Sequence, residues 1–121
     1  MTGRAIGYVH HASRASASHH QAALLGAYAT EHGMVLEGIL VDVGPPLLGR
    51  RSSRTPSGLD EVLVLLGAGA AEVMLITSLR VLGRDPYRLL GIVDRADAEG
   101  WELLVIADWC RRLGGPAAPR R

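Results

Sequence analysis

Lysine, asparagine and phenylalanine are absent from the 121 residues, and cysteine occurs once, at Cys110. A single cysteine cannot close an internal disulfide, so the chain is not a small secreted scaffold held by cross-links, and it suits a reducing compartment. Without lysine, all 13 basic residues are arginine, set against 12 acidic ones for a formal charge of +1. That balance excludes a surface that binds polyanions all over, because nonspecific nucleic-acid affinity comes from neutralising many phosphates together. Any such contact must be local. Arginine-only usage with abundant Gly, Ala and Leu fits codon bias in a GC-rich genome, although arginine's planar fork would still grip phosphate bidentately. No apolar run approaches the ~20 residues of a membrane helix, and the N-terminus lacks the basic, apolar and small-residue succession of a signal peptide. These absences predict a soluble, cytoplasmic protein with no membrane partner.

What remains is 48% hydrophobic, enough for one continuous core at single-domain length. Residues Arg4 to His10, RAIGYVH, read as a buried strand leaving into the polar loop HASRASAS. Ala22, Leu25 and Ala29 recur at helical spacing between His19 and His32, with Gly33 as the stop. Met34 to Asp42 is a second strand, followed by the Gly/Pro/Ser/Arg-rich loop VGPPLLGRRSSRTP. Ser57 and Asp60 then form a capping-box-like start for a helix whose apolar face is Leu59, Val62, Leu63 and Leu66. A third strand covers Glu72 to Ser78, and Asp85 and Pro86 open a helix carrying Leu89, Leu90, Ile92 and Val93 as far as Gly100. WELLVIA, from Trp101, is the fourth strand.

The order βαβαβαβ with unbroken apolar strands predicts an α/β fold of three layers, a mainly parallel four-stranded sheet with helices on both faces. The domain should span residues 1–108, and residues 109–121, rich in Arg, Pro and Gly, read as a flexible tail. In such sheets ligands gather at the carboxyl ends of the strands, so the loops after His10, Asp42 and Ser78 should converge on one edge.

Several landmarks occur together. Gly7-Tyr8-Val9-His10-His11-Ala12-Ser13 precedes a helix containing Gln21; Asp42 ends the second strand ahead of Arg54, Pro56 and Leu59; and Leu79-Arg80-Val81-Leu82-Gly83-Arg84 comes after the third strand. Over about Arg4 to Asp108 this succession resembles the catalytic domain of the serine recombinases, the resolvase/invertase family. The resemblance implies a resolvase-like fold. In active members a serine at the end of the first strand attacks a DNA phosphodiester while arginines stabilise the charge on the phosphorus oxygens.

Aligned on Tyr8, the nucleophile position holds Ala12 and the preceding arginine position holds His10. Alanine cannot attack phosphorus. In the Leu-Gly-Arg segment the acidic position is Arg80 and the first arginine position is Val81, leaving Arg84 and Arg54 of the implied set. Ser13, one residue further on, is the fallback nucleophile, and reaches the pocket only if the strand has ended by His11. The implied function is a catalytically degenerate recombinase-like domain that binds itself, a recombinase-like protein partner, or DNA or another phosphate-bearing ligand through Arg54, Arg84 and Arg80. The alternative is an active strand-exchange or nicking subunit that uses Ser13.

Other constellations carry less. Arg80 and Arg84 would share a face if their segment were helical, and with Arg50, Arg51 and Arg54 could form an anion pocket. Neighbouring His10 and His11 point oppositely on a strand, and no Cys or carboxylate of ligand spacing joins them or His19 and His20, so no metal is expected. Gly3, Gly7 and Gly83 make no dinucleotide fingerprint, and no cofactor is expected. Trp101 and Trp109 read as packing residues, and Cys110, beside Arg111 and Arg112, as a chance thiol.

Overall fold

Alternation along the first strand, β1 (Arg4–His11), decides the layering. Ile6 and Tyr8 belong to one buried cluster, Ala5 and Val9 to another, so the strand is covered on both faces. The computed structural model describes residues 3–11, 15–43, 58–83 and 85–114. Within them β1 is followed by α1 (Ala15–Glu31), β2 (Val35–Val43), α2 (Gly58–Gly67), β3 (Val73–Ile76), a 3₁₀ turn (Leu79–Leu82), α3 (Pro86–Glu99), β4 (Glu102–Val105) and α4 (Ala107–Gly114). The strands form one sheet in the order β2-β1-β3-β4, every pair parallel. The expected three-layer α/β architecture is therefore the observed one.

β3 is buried along its whole length, as a central parallel strand should be: Met74 and Ile76 enter the first cluster, Val73 and Leu75 the second. The first cluster takes Leu59, Val62, Leu63 and Leu66 from α2 and Ile92 and Ala96 from α3; the second takes Leu25 and Ala29 from α1 and Trp109 from α4. Thus α2 and α3 cover one face, α1 and α4 the other. The connection through α1 runs from β1 to β2, whereas those through α2 and α3 run the opposite way along the sheet, so a change of face with a change of direction keeps one crossover hand. Gly7 marks the closest approach of α1, because a Cβ there would stand 2.9 Å from Leu25 Cδ1 and 3.1 Å from Ile39 Cγ1.

α3 has the expected ends. The Asp85 carboxylate accepts from the Tyr87 amide at 2.9 Å, Pro86 occupies the first turn, and Gly100 closes the helix at φ +82°, a left-handed conformation that glycine adopts without strain. Two boundaries differ from the sequence reading. α1 begins at Ala15 and not near His19, since small Ala and Ser residues suit a first helical turn as well as a loop. α2 starts at Gly58, as the spacing predicts; Ser57 lies outside the described residues, and the Gly58 and Leu59 amides are held by Asp42 of β2. Residues from Trp109 onward were expected to form a tail, but α4 continues through Gly114. Trp109 is 8% exposed, stands edge-on to Tyr28 at 5.3 Å, and donates from Nε1 to Glu31 Oε2 at 3.1 Å. That burial outweighs the Gly/Pro composition of the neighbouring sequence. No helix among the described residues is long and apolar enough to cross a membrane.

Candidate functional site

The connection leaving β1 heads for β2 and that leaving β3 heads for β4, so the two diverge between adjacent strands. A crevice at the carboxyl ends of the strands is the consequence of such a switch point. His10, half-buried, pairs with Asp42 of β2 near this edge, and β1 ends at His11 opposite Val43. From β3 the chain leads through Thr77 and Ser78 into the 3₁₀ turn. The Thr77 hydroxyl donates to Gln21 Oε1 of α1 at 3.4 Å, a weak bond that links the β3 exit to the helix after β1.

A polar cluster on this edge is built around Asp42, near the end of β2. One carboxylate oxygen accepts from the Gly58 amide at 2.8 Å; the other accepts from the Leu59 amide at 3.2 Å and the Tyr8 hydroxyl at 2.7 Å. Two amides that would be orphaned at the start of α2 are thereby satisfied from another element. The position is tight, since a Cβ on Gly58 would stand 3.0 Å from Asp42 Oδ1. Tyr8 is 2% exposed. Burial chiefly, together with its bond to the Asp42 carboxylate, pushes its hydroxyl well above the usual tyrosine range; Arg88, in the first turns of α3, pulls weakly the other way.

Tyr8 has a consequence for alkaline stability. Unfolded tyrosine ionises near 10, while folded Tyr8 resists ionisation, so its contribution is whole below about pH 10 and is lost as pH rises beyond it. The expected result is that the stability advantage of wild type over Tyr8→Phe, measured by urea unfolding, is constant to about pH 9 and shrinks above about pH 10. An advantage that stays level to pH 11 would mean that the hydroxyl is not held by burial and Asp42.

The predicted site residues are distributed unevenly. Ala12, Ser13, Arg54 and Arg84 lie outside the described residues, as do Arg50 and Arg51. Arg80 is exposed on the 3₁₀ turn, whereas Val81 is 7% exposed and Leu82 3% exposed, both in the α2/α3-side core. The turn ends at Gly83 with φ +99° and ψ 178°, so the helical segment that carries Arg80 stops at Leu82. No group of three or more His, Cys, Asp or Glu residues suited to a metal occurs among the described residues. Cys110 is not activated: burial pushes its thiol up, and Arg111 is engaged with Asp108.

Arg88 and the capping role of Asp42 were not singled out in the sequence. The repeat of arginine at positions 80, 84 and 88 is the signal for the first. The second had no local signal, because Asp42 and Gly58 are 16 residues apart.

No family model and no curated protein matches the chain. Solved structures do. The C-terminal catalytic domain of ISC1926 TnpA, an IS607-like serine recombinase, superposes with a TM-score of 0.72 at 23% identity, over 97% of this chain and 71% of that one. A resolvase family site-specific recombinase from Streptococcus pneumoniae gives 0.71 at 14% identity, over 87% and 72%. The N-terminal catalytic domain of TP901-1 integrase gives 0.67 at 16%, over 86% and 78%. The chain has the fold of serine recombinase catalytic domains.

Proposed function

We propose, from the premise of a serine recombinase catalytic-domain fold, that this chain is a catalytically degenerate binding or regulatory module of the cytoplasm. It engages DNA or another phosphate-bearing ligand through Arg80, Arg84 and Arg54, and associates with itself or with a recombinase-like protein. The observation that carries the reading is Val81. At the position where the resemblance implies the first arginine of the phosphate cluster, the chain has an apolar side chain that is 7% exposed and packed with Leu82, Ile92 and Met74 in the core. Phosphoryl transfer depends on preorganised cations around the phosphorus, each worth orders of magnitude in rate. An isopropyl group turned into the core supplies none. Ala12 at the implied nucleophile position and His10 at the implied strand-end arginine support the same reading.

Incubation with supercoiled plasmid and then denaturing electrophoresis tests it. The expected result is neither nicked circles nor a covalent protein–DNA adduct. An adduct that disappears in Ser13→Ala would overturn the proposal and establish a strand-exchange or nicking subunit with Ser13 as its nucleophile.

A further inference from the structure

The two strands that bound the sheet are not alike. β2 is bulged between Leu36 and Gly38 and carries Glu37 there, devices that keep an edge from pairing further. β4 has neither. After Glu102 it reads Leu103, Leu104, Val105, and among the described residues it pairs with β3 alone. Val105 is 40% exposed. Its register partner Ile76 lies in the α2/α3-side core, so Val105 and Leu103 are on the face that α3 covers.

α3 adds an apolar flank to this edge. Glu99 lies against the end of α2, since a Cβ on Gly67 would stand 3.1 Å from its Oε1, and Arg95 pairs with Glu99 on the same flank. Around the helix, Leu90 is about 180° from Glu99 and Val93 about 160° from Arg95. Leu90 and Val93, 58% and 39% exposed, therefore occupy the flank turned away from α2. Because α2 packs on β2, β1 and β3, and α3 on β4, that flank overhangs the free strand.

One two-fold axis perpendicular to the sheet completes both elements. An antiparallel pairing of β4 centred on Leu104 sets Leu103 against the partner's Val105 on the α3 face, and Leu104 against the partner's Leu104 on the other. Glu102 then opposes the partner's Ile106, so the one charge of the strand never meets its like. The heights agree as well. Leu104 lies about 10 Å along β4 from Trp101, and the midpoint of Leu90 and Val93 about 11 Å back along α3 from Glu99. Gly100 alone joins Glu99 to Trp101, so the two midpoints are level. The same axis thus brings Leu90 against the partner's Val93. It also sets Asp97 beside the partner's Pro86, an acidic group at the positive end of a helix dipole.

We infer that α3 and β4 form the interface of a two-fold dimer of this chain, with β4 strands paired antiparallel and the Leu90 and Val93 ridges packed together. The inference specifies the self-association in the proposed function and rests on that part alone. Its apolar contact is small beside the ~800 Å² per partner of a standard interface, so the dimer forms at micromolar concentration.

Sedimentation velocity of the full chain over a micromolar concentration series tests it, and a monomer–dimer equilibrium is expected. Leu90→Arg and Val93→Glu each weaken the dimer about 30-fold or more, because each buries a charge at the seam. Mixing the two variants restores it, since position 90 of one copy faces position 93 of the other. Val41→Lys, on the β2 edge, leaves the equilibrium unchanged. In a Cys110→Ser background, Leu104→Cys forms an interchain disulfide on mild oxidation, as Cα atoms paired across the axis are about 4.5–5.5 Å apart. Leu90 and Val93 are exposed, so circular dichroism melts of their variants coincide with wild type.

A monomer at every concentration overturns the inference and the self-association with it. A dimer that both α3 variants leave intact places the contact elsewhere and overturns the inference while self-association stands. A dimer that both weaken and mixing does not restore, with no disulfide from Leu104→Cys, overturns the two-fold arrangement. The plasmid assay for adducts judges catalytic degeneracy separately.

Discussion

Trp109→Ala lowers the unfolding free energy by about 3–5 kcal/mol, the cost of deleting a buried tryptophan from a packed interior. Against the 5–15 kcal/mol typical of a folded domain, that is a large share of the total stability. The side chain fills the space between α4 and α1, edge-on to Tyr28, and its indole N–H is held by Glu31. Trp109→Phe keeps most of the apolar volume and loses the donor, so its cost falls to about 1–2 kcal/mol. Urea unfolding checks both, with the midpoint shifted and the slope unchanged if unfolding remains two-state. A loss below about 1 kcal/mol for Trp109→Ala would mean that α4 unfolds separately from the sheet.

Asp42→Ala has the second largest effect, about 2–4 kcal/mol. The lost helix cap accounts for about 1 kcal/mol. The rest comes from leaving the Tyr8 hydroxyl buried without an acceptor, a penalty of about 1–3 kcal/mol. Three donors converge on one carboxylate, so the two contributions separate in a double-mutant cycle. In a Tyr8→Phe background, Asp42→Ala costs only the cap. If the cost is the same in both backgrounds, the hydroxyl does not depend on Asp42 and the cluster is a cap alone.

Much of the fold is legible because its signals are local. Asp85, Pro86 and Gly100 mark both ends of α3, and the apolar faces of α2 and of β3 can be read from residue spacing. Signals from distant pairing are not legible. Asp42 caps a helix across a long connection, and no local spacing near Gly58 points to it. Trp109 looked like the start of a tail because Gly and Pro dominate the residues near the C-terminus, and nothing nearby announces Glu31 and Tyr28 as its partners. Leu90 and Val93 look like core residues in sequence, yet α3 is only half-covered by the sheet and turns both outward.

For the site, Arg80 and Val81 illustrate the limit most sharply. They are consecutive, but one is exposed and the other lies in the core, a distinction set by the 3₁₀ turn and not by residue type. Of the other predicted positions, His10 is half-buried near the end of β1, while Ala12, Ser13, Arg54 and Arg84 fall outside the described residues and stay proposals.

The Asp42 cluster has an evolutionary corollary. It fastens the last residues of one strand to the first residues of the next helix, so residues 44–57 begin and end at a single anchored junction. Lengthening a connection between fixed ends costs only about 0.6 kcal/mol of closure entropy per doubling. Insertions or deletions of several residues between Val43 and Gly58 are therefore tolerated while the Asp42 junction stays closed.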